Sequence, residues 1–96
     1  MNLSKIIQGL SLKEVIGDID KDIVSVTFDS RKVEAGSLFV AQLGTQVDGH
    51  RFIPQALEKG AIAIVCEKLH EQLLPTCTYL VAEHAGRALG KIASRF

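Results

Sequence analysis

Three uninterrupted apolar runs of strand length, SLFVA (37–41), AIAIVC (61–66) and TYLVA (78–82), constrain this chain more than any other feature. A strand with one wet face alternates apolar and polar residues, whereas a continuous run suits an interior strand covered on both faces. Between the first two runs lies RFIPQALEKG. Its Phe52, Ile53, Ala56 and Leu57 share one helical face, Pro54 fits only in a first helical turn, and Gly60 supplies a stop. The helix is therefore expected to start near His50–Ile53. Strand, helix, strand and a second helix in succession imply parallel pairing with right-handed crossovers. The expected fold is α/β: one small domain with a mostly parallel sheet of about four or five strands flanked by helices.

The flanking segments complete that picture. Leu3–Gln8 reads as a short helix, started by Asn2 or Ser4 and stopped by Gly9, and Lys13–Ile16 as a short strand. In DIVSVTFDS, Val24, Val26 and Phe28 alternate with Ser25, Thr27 and Asp29, which predicts a half-buried strand over Ile23–Phe28. Residues 67–74 are expected as a short helix or loop. Ala85, Ala88, Leu89, Ile92 and Phe96 recur at helical spacing, with Glu83 at the start of the helix and Lys91 and Arg95 near its end, each favourable to the helix dipole. Tyr79 and the phenylalanines are expected in the core, with Phe28 excepted because it borders a turn. The amphipathic helix runs to the last residue with no closing polar tail, so the chain reads as cut from something longer.

Composition narrows the function. Eleven basic and eleven acidic residues cancel, against a general nucleic-acid or anionic-membrane binder. No run approaches the roughly 18 apolar residues that span a bilayer, and MNLSKIIQGL lacks the long apolar stretch of a signal peptide, so a cytoplasmic location is expected. Cys66 and Cys77 form no CxxC motif and are expected as free thiols. Neither GxxxxGK[ST], GxGxxG nor GxSxG occurs. Cys66, His70, Cys77 and His84 match no common zinc spacing, so no metal site and no catalytic set is expected within the chain.

Two polar segments stand at predicted strand ends, where ligands gather in open α/β sheets. Asp29-Ser30-Arg31 offers a turn-forming carboxylate, a short hydroxyl and a planar fork for phosphate or carboxylate. Gly44-Thr45-Gln46-Val47-Asp48-Gly49-His50 offers two glycines for close backbone approach and donors and acceptors on Thr45 and Gln46. It also leads into a helix N-terminus suited to anions. Each segment alone also reads as an ordinary turn, with Asp48 as a helix cap and His50 as a surface or capping residue. His70 and His84 read as solvated. Together, on neighbouring strands, the two loops would open on the same edge of the sheet.

The stretch TFDSRKVEAGSLFVAQLGTQVDGHRFIPQALEKGAIAIVCE resembles the N-terminal domain of the Mur ligases of peptidoglycan synthesis. It fills the pattern T-x-DSR-x-V-x-x-G-x-LF-V-A-x-x-G-x-x-x-DGH-x-F-I, followed by A-x-x-x-GA-x-A-x-V-x-E. The tail YLVAEHAGRALGKIASRF is similar to the one preceding the linker to the family's ATPase domain. Departures are small: Ala35 stands where proline is common, and Gln42-Leu43 is a mild variant. Two branches of the family share this domain, the ligase adding the third residue of the stem peptide and the ligase adding its terminal dipeptide. LSKIIQGL and IASRF look more like the first.

The resemblance implies a single domain over residues 1–96 that holds the UDP end of UDP-N-acetylmuramoyl-L-alanyl-D-glutamate. By motif position the contacts would be Phe28, Ser30, Thr45, Gln46 and Val47, with Asp29, Arg31, Asp48 and Gly49 supporting the turns. Position 45 varies in the family, so Thr45 would act through its backbone as much as its hydroxyl. ATP and Mg²⁺ would serve the full-length enzyme from central and C-terminal domains absent here, leaving this chain inactive alone, with no cofactor of its own. Its partners would be the UDP-muramoyl dipeptide and the remaining domains of the same polypeptide, not nucleic acid or membrane. A non-enzymatic α/β interaction module stands as the rival from another class.

Overall fold

A computed structural model describes residues 1–43, 48–69 and 73–96. Its order is α1 (Leu3–Ile6), β1 (Leu12–Ile16), β2 (Ser25–Thr27), β3 (Ser37–Val40), α2 (Ile53–Glu58), β4 (Ala63–Cys66), β5 (Thr78–Ala82) and α3 (Ala85–Arg95), with 3-10 turns at Ser30–Lys32 and Gly49–Phe52. The five strands form one sheet in the order β1-β5-β4-β3-β2. β2, β3, β4 and β5 pair in parallel, and β1 closes the far edge antiparallel to β5.

The apolar runs are continuous because consecutive side chains feed two different cores. Leu38, Val40, Ala63, Val65, Leu80 and Ala82 face one side, where they meet Leu3 and Ile6 of α1 and Ala85, Ala88 and Ile92 of α3. Phe39, Ala41, Ile64, Cys66, Tyr79 and Val81 face the other, against Ile53 and Ala56 of α2 and Val33. The result is three layers, with the sheet in the middle. Two hydroxyls buried in this sheet are satisfied: Ser37 Oγ pairs with Ser25 Oγ at 2.7 Å and accepts from Glu34 N–H, and Thr78 Oγ1 donates to the Asp18 carbonyl.

Several elements differ from the sequence reading, some for local and some for nonlocal reasons. The first helix ends at Ile6, capped by the Asn2 carboxamide accepting from Ser4 N–H. The strand expected over Ile23–Phe28 contracts to Ser25–Thr27. Ile23 instead pairs its backbone with Met1 and buries its side chain, while β2 is the outermost strand and leaves Val24 and Phe28 in solvent. Pro54 does fall in the first turn of α2, but a 3-10 turn precedes it. Phe96, expected in the core, is exposed because it lies one turn past Ile92, beside the β2 edge.

The cap of α3 is His84, directly after Glu83, which lies at the helix start as expected. A second carboxylate, Glu67, reaches across from the end of β4 to accept from Ala85 N–H at 2.9 Å. His84 is exposed, as its solvated reading had it, and its Nδ1 also accepts from Arg87 N–H. Cys66 and Cys77 are both free and buried, and burial pushes the Cys66 thiol up to about 11. No helix among the described residues is long and apolar enough to cross a membrane.

Candidate functional site

Because β2 and β3 are parallel neighbours, Asp29-Ser30-Arg31 and the loop after β3 leave the sheet on one edge, as their positions in the sequence suggest. The first turn is held by short-range bonds. Thr27 Oγ1 accepts from Asp29 N–H at 3.0 Å. The Asp29 carboxylate accepts from Arg31 N–H and Nε at 3.0 Å each, and from Nη2 at 2.9 Å. This two-pronged grip favours the ionised form. The Arg31 side-chain bond, then its backbone bond, hold the Asp29 carboxyl at about 2, and the same pairing raises Arg31.

Ser30 sits almost fully buried inside that turn, and its hydroxyl donates to Gln55 Oε1 on α2 at 3.2 Å. Beside it, Phe28 is 63% exposed, unusual for a large aromatic in a packed domain. Phe28, Asp29, Ser30, Arg31, Phe52 and Gln55 line an open hollow of about 550 Å³. Arg51 lies over the Phe52 ring with its guanidinium carbon 5.6 Å from the ring centre. On the other side of Phe28 a second hollow of about 440 Å³ is lined by Val26, Lys32, Leu89 and Phe96, among others. Phe28 therefore forms a ridge between two concavities, with an amide, a guanidinium and an aromatic ring on one flank.

The second loop is anchored by its stem. Leu43 and Asp48 form an isolated antiparallel bridge, and Gly49 N–H donates to the Gln42 carbonyl at 2.7 Å. A Cβ on Gly49 would come within 2.8 Å of both Gln42 N and Gln42 O. Glycine is required there because the backbone at the end of β3 approaches so closely. Asp48 caps the Gly49–Phe52 turn. It accepts from His50 N–H at 2.9 Å, contacts His50 Nδ1 at 2.7 Å and pairs with Lys68 at 3.2 Å. The backbone bond, then the ring bond, hold its carboxyl at about 2. Thr45, Gln46 and Val47 lie outside the described residues. Asp48 and Gly49 do not line the hollow beside Phe28.

Sequence reasoning missed Gln55 and Phe52, which bring α2 to the hollow. Gln55 lies outside the apolar face of its helix. The available signal was its place in the first turn of the helix that follows a polar loop. Among the described residues no three His, Cys, Asp or Glu side chains gather as a metal site. The sequence also carries no P-loop.

Comparison with known proteins gives this geometry its context. The pattern described as "Mur ligase family, catalytic domain" matches residues 22–96. The chain belongs to the Mur ligase family. It is 45% identical, over its whole length, to a UDP-N-acetylmuramoyl-L-alanyl-D-glutamate--2,6-diaminopimelate ligase of Phocaeicola vulgatus. It is 38% identical, also over its whole length, to a protein of the same name from Clostridioides difficile. It spans 20% of the first of these relatives and 19% of the second. A crystal structure of MurF from Acinetobacter baumannii superposes with a TM-score of 0.72 at 25% identity, covering 97% of this chain and 19% of that one. MurF ligase of Thermotoga maritima, solved with ADP, gives 0.63 at 32% identity over 74% of this chain and 16% of that one.

Proposed function

We propose that this chain anchors the UDP end of UDP-N-acetylmuramoyl-L-alanyl-D-glutamate, for the ATP-dependent addition of the third stem-peptide residue in peptidoglycan synthesis. The observation that carries the reading is the exposed Phe28 ridge beside the Ser30–Gln55 pair, on the edge where two parallel strands release their loops. A flat aromatic next to an amide and a hydroxyl suits a nucleobase, whose face stacks and whose edge needs donors and acceptors. Thr45, Gln46 and Val47 would complete the contact. Asp29 and Arg31 spend their charges on each other and hold the turn rather than the ligand.

In this reading the ligation happens elsewhere in a longer cytoplasmic polypeptide. Other domains supply ATP and Mg²⁺, and the 96 residues alone are inactive. Gripping the remote nucleotide still serves catalysis, because binding energy far from the reacting carboxylate positions it. The names of the curated relatives favour diaminopimelate over lysine as the added residue.

Titration with UDP should shift amide signals at residues 28–31 and 44–49. No shift at millimolar ligand sinks autonomous binding. The dipeptide-adding ligase is the second reading, supported by the MurF structures. The higher identities carried by the diaminopimelate-ligase relatives favour the first. Turnover of the dipeptide precursor rather than the tripeptide precursor by the longer enzyme separates them. A module without a ligand is the third reading. It predicts an unchanged Michaelis constant for the UDP precursor after Ser30→Ala and Gln46→Ala in that enzyme.

A further inference from the structure

The His50 ring has no part in the hollow beside Phe28, yet its side chain is only 8% exposed and both ring nitrogens are engaged. Glu67 N–H, at the end of β4, donates to Nε2 at 2.9 Å. An accepting Nε2 carries no proton, so the ring proton sits on Nδ1 and is donated to Asp48 Oδ1 at 2.7 Å. One neutral tautomer thus joins the second loop to the neighbouring strand. The connection continues, because the Glu67 carboxylate accepts from Ala85 N–H at the start of α3. On the other side, Lys68 pairs with Asp48 Oδ2. Gly49, between the two tied residues, is fixed against Gln42 by its own hydrogen bond.

We propose that His50 is a positioning residue for nucleotide binding, whose ring fastens the stem of the loop after β3 to the end of β4. It touches no ligand. It fixes where residues 43 and 48 stand, and so where the chain between them begins and returns. The inference rests on the nucleotide-anchoring reading above and deepens it. The decisive arm is the one to Glu67, since Asp48 and His50 are near neighbours in the chain already held by a backbone bond. The Nε2 bond crosses to the end of β4 from a nearly buried ring, whereas the Lys68–Asp48 pair that also reaches there stands largely in water.

The test uses this chain, with UDP as the probe and amide chemical shifts as the readout. A glutamine at position 50 can place its carbonyl oxygen near the Nε2 position and keep the bond to Glu67. An asparagine can replace the Nδ1 donor but falls short of β4. The expected result is that His50→Ala and His50→Asn weaken UDP binding about tenfold, as for a buried donor left without its partner. His50→Gln should stay within about threefold of wild type. Ring ¹⁵N shifts in the wild type should show the proton on Nδ1, and Glu67 N–H should exchange slowly in the wild type and fast in the Asn variant.

Equal UDP affinity for the wild type and the Asn variant, equal loss in the Gln and Asn variants, or a ring proton on Nε2 overturns the proposal. If the Ala variant does not fold, the Gln and Asn pair carries the comparison. A wild type that ignores UDP instead overturns the nucleotide reading on which the proposal stands. A wild type that binds while the variants match it overturns the role of His50 alone.

Discussion

The two loops on the carboxyl edge of the sheet are held by different means. The DSR turn is locked by bonds between residues two apart, Thr27 to Asp29 and Asp29 to Arg31, with one longer tie from Ser30 to Gln55. The DGH stem is locked by Gln42 at the end of β3 and Glu67 at the end of β4. A local lock forms wherever its few residues sit, whereas a nonlocal lock exists only when the sheet is assembled. The first loop should therefore tolerate loss of its charged pair, and the second should fail together with the strands that frame it.

Gly49→Ala should have the largest effect on stability. The added methyl meets the Gln42 backbone, which cannot swing aside as a side chain would, at a cost on the order of 2 kcal/mol. The thermal midpoint should fall by roughly 10 °C for a domain of this size. A shift no larger than that of Arg31→Ala would erase the contrast between the loops. Next in size is the acid limb. Asp29 and Asp48 are both depressed in the folded state from 3.8 to about 2. Their stabilisation is present above the unfolded value and is lost as pH falls through about 4 towards 2. Asp29→Asn and Asp48→Asn should each flatten the fall in urea midpoint across that window. Both should lower the midpoint at pH 7, Asp48→Asn by more, since it also disturbs the His50 bridge.

Smaller changes sharpen the comparison. Ser30→Ala removes a hydroxyl bonded to an exposed amide and should lower stability by about 1 kcal/mol, read by chemical denaturation. Arg31→Ala should leave the thermal midpoint nearly unmoved, because its guanidinium stands in water and salt screens the pair. Phe28→Ala should be within about 0.5 kcal/mol of neutral while abolishing the UDP shifts at residues 28–31. If it instead destabilises strongly, Phe28 packs in the fold and is no ligand ridge.

The same local and nonlocal division explains what was legible in the chain. The interior strands were readable because SLFVA, AIAIVC and TYLVA carry their burial in consecutive residues. The turn-holding role of Asp29 and Arg31 came from motif position, and the two are bonded to each other within the turn. Phe28 stood out from the other phenylalanines by its neighbouring turn, but Phe96 did not, because its exposure depends on where α3 overruns the sheet. Gln55 beside Ser30, Glu67 at the start of α3 and the His50 ring at Glu67 were not legible. Each joins residues 17 to 25 positions apart through the order of strands. Gly49 was read as allowing close backbone approach, and the backbone that approaches it in the fold is the chain's own, at Gln42.

The two silent thiols give the sheet a built-in clock. Cys66 and Cys77 lie beneath the layer that α2 covers, and with its ionisation pushed up to about 11, Cys66 presents almost no thiolate at neutral pH. Alkylation there can proceed only when that face comes apart. The rate at which an added maleimide modifies the native chain thus counts openings of the sheet, while a cysteine introduced at exposed Val24 would react at once. One reagent can then follow the ligand edge and the core in the same molecule, separated by time.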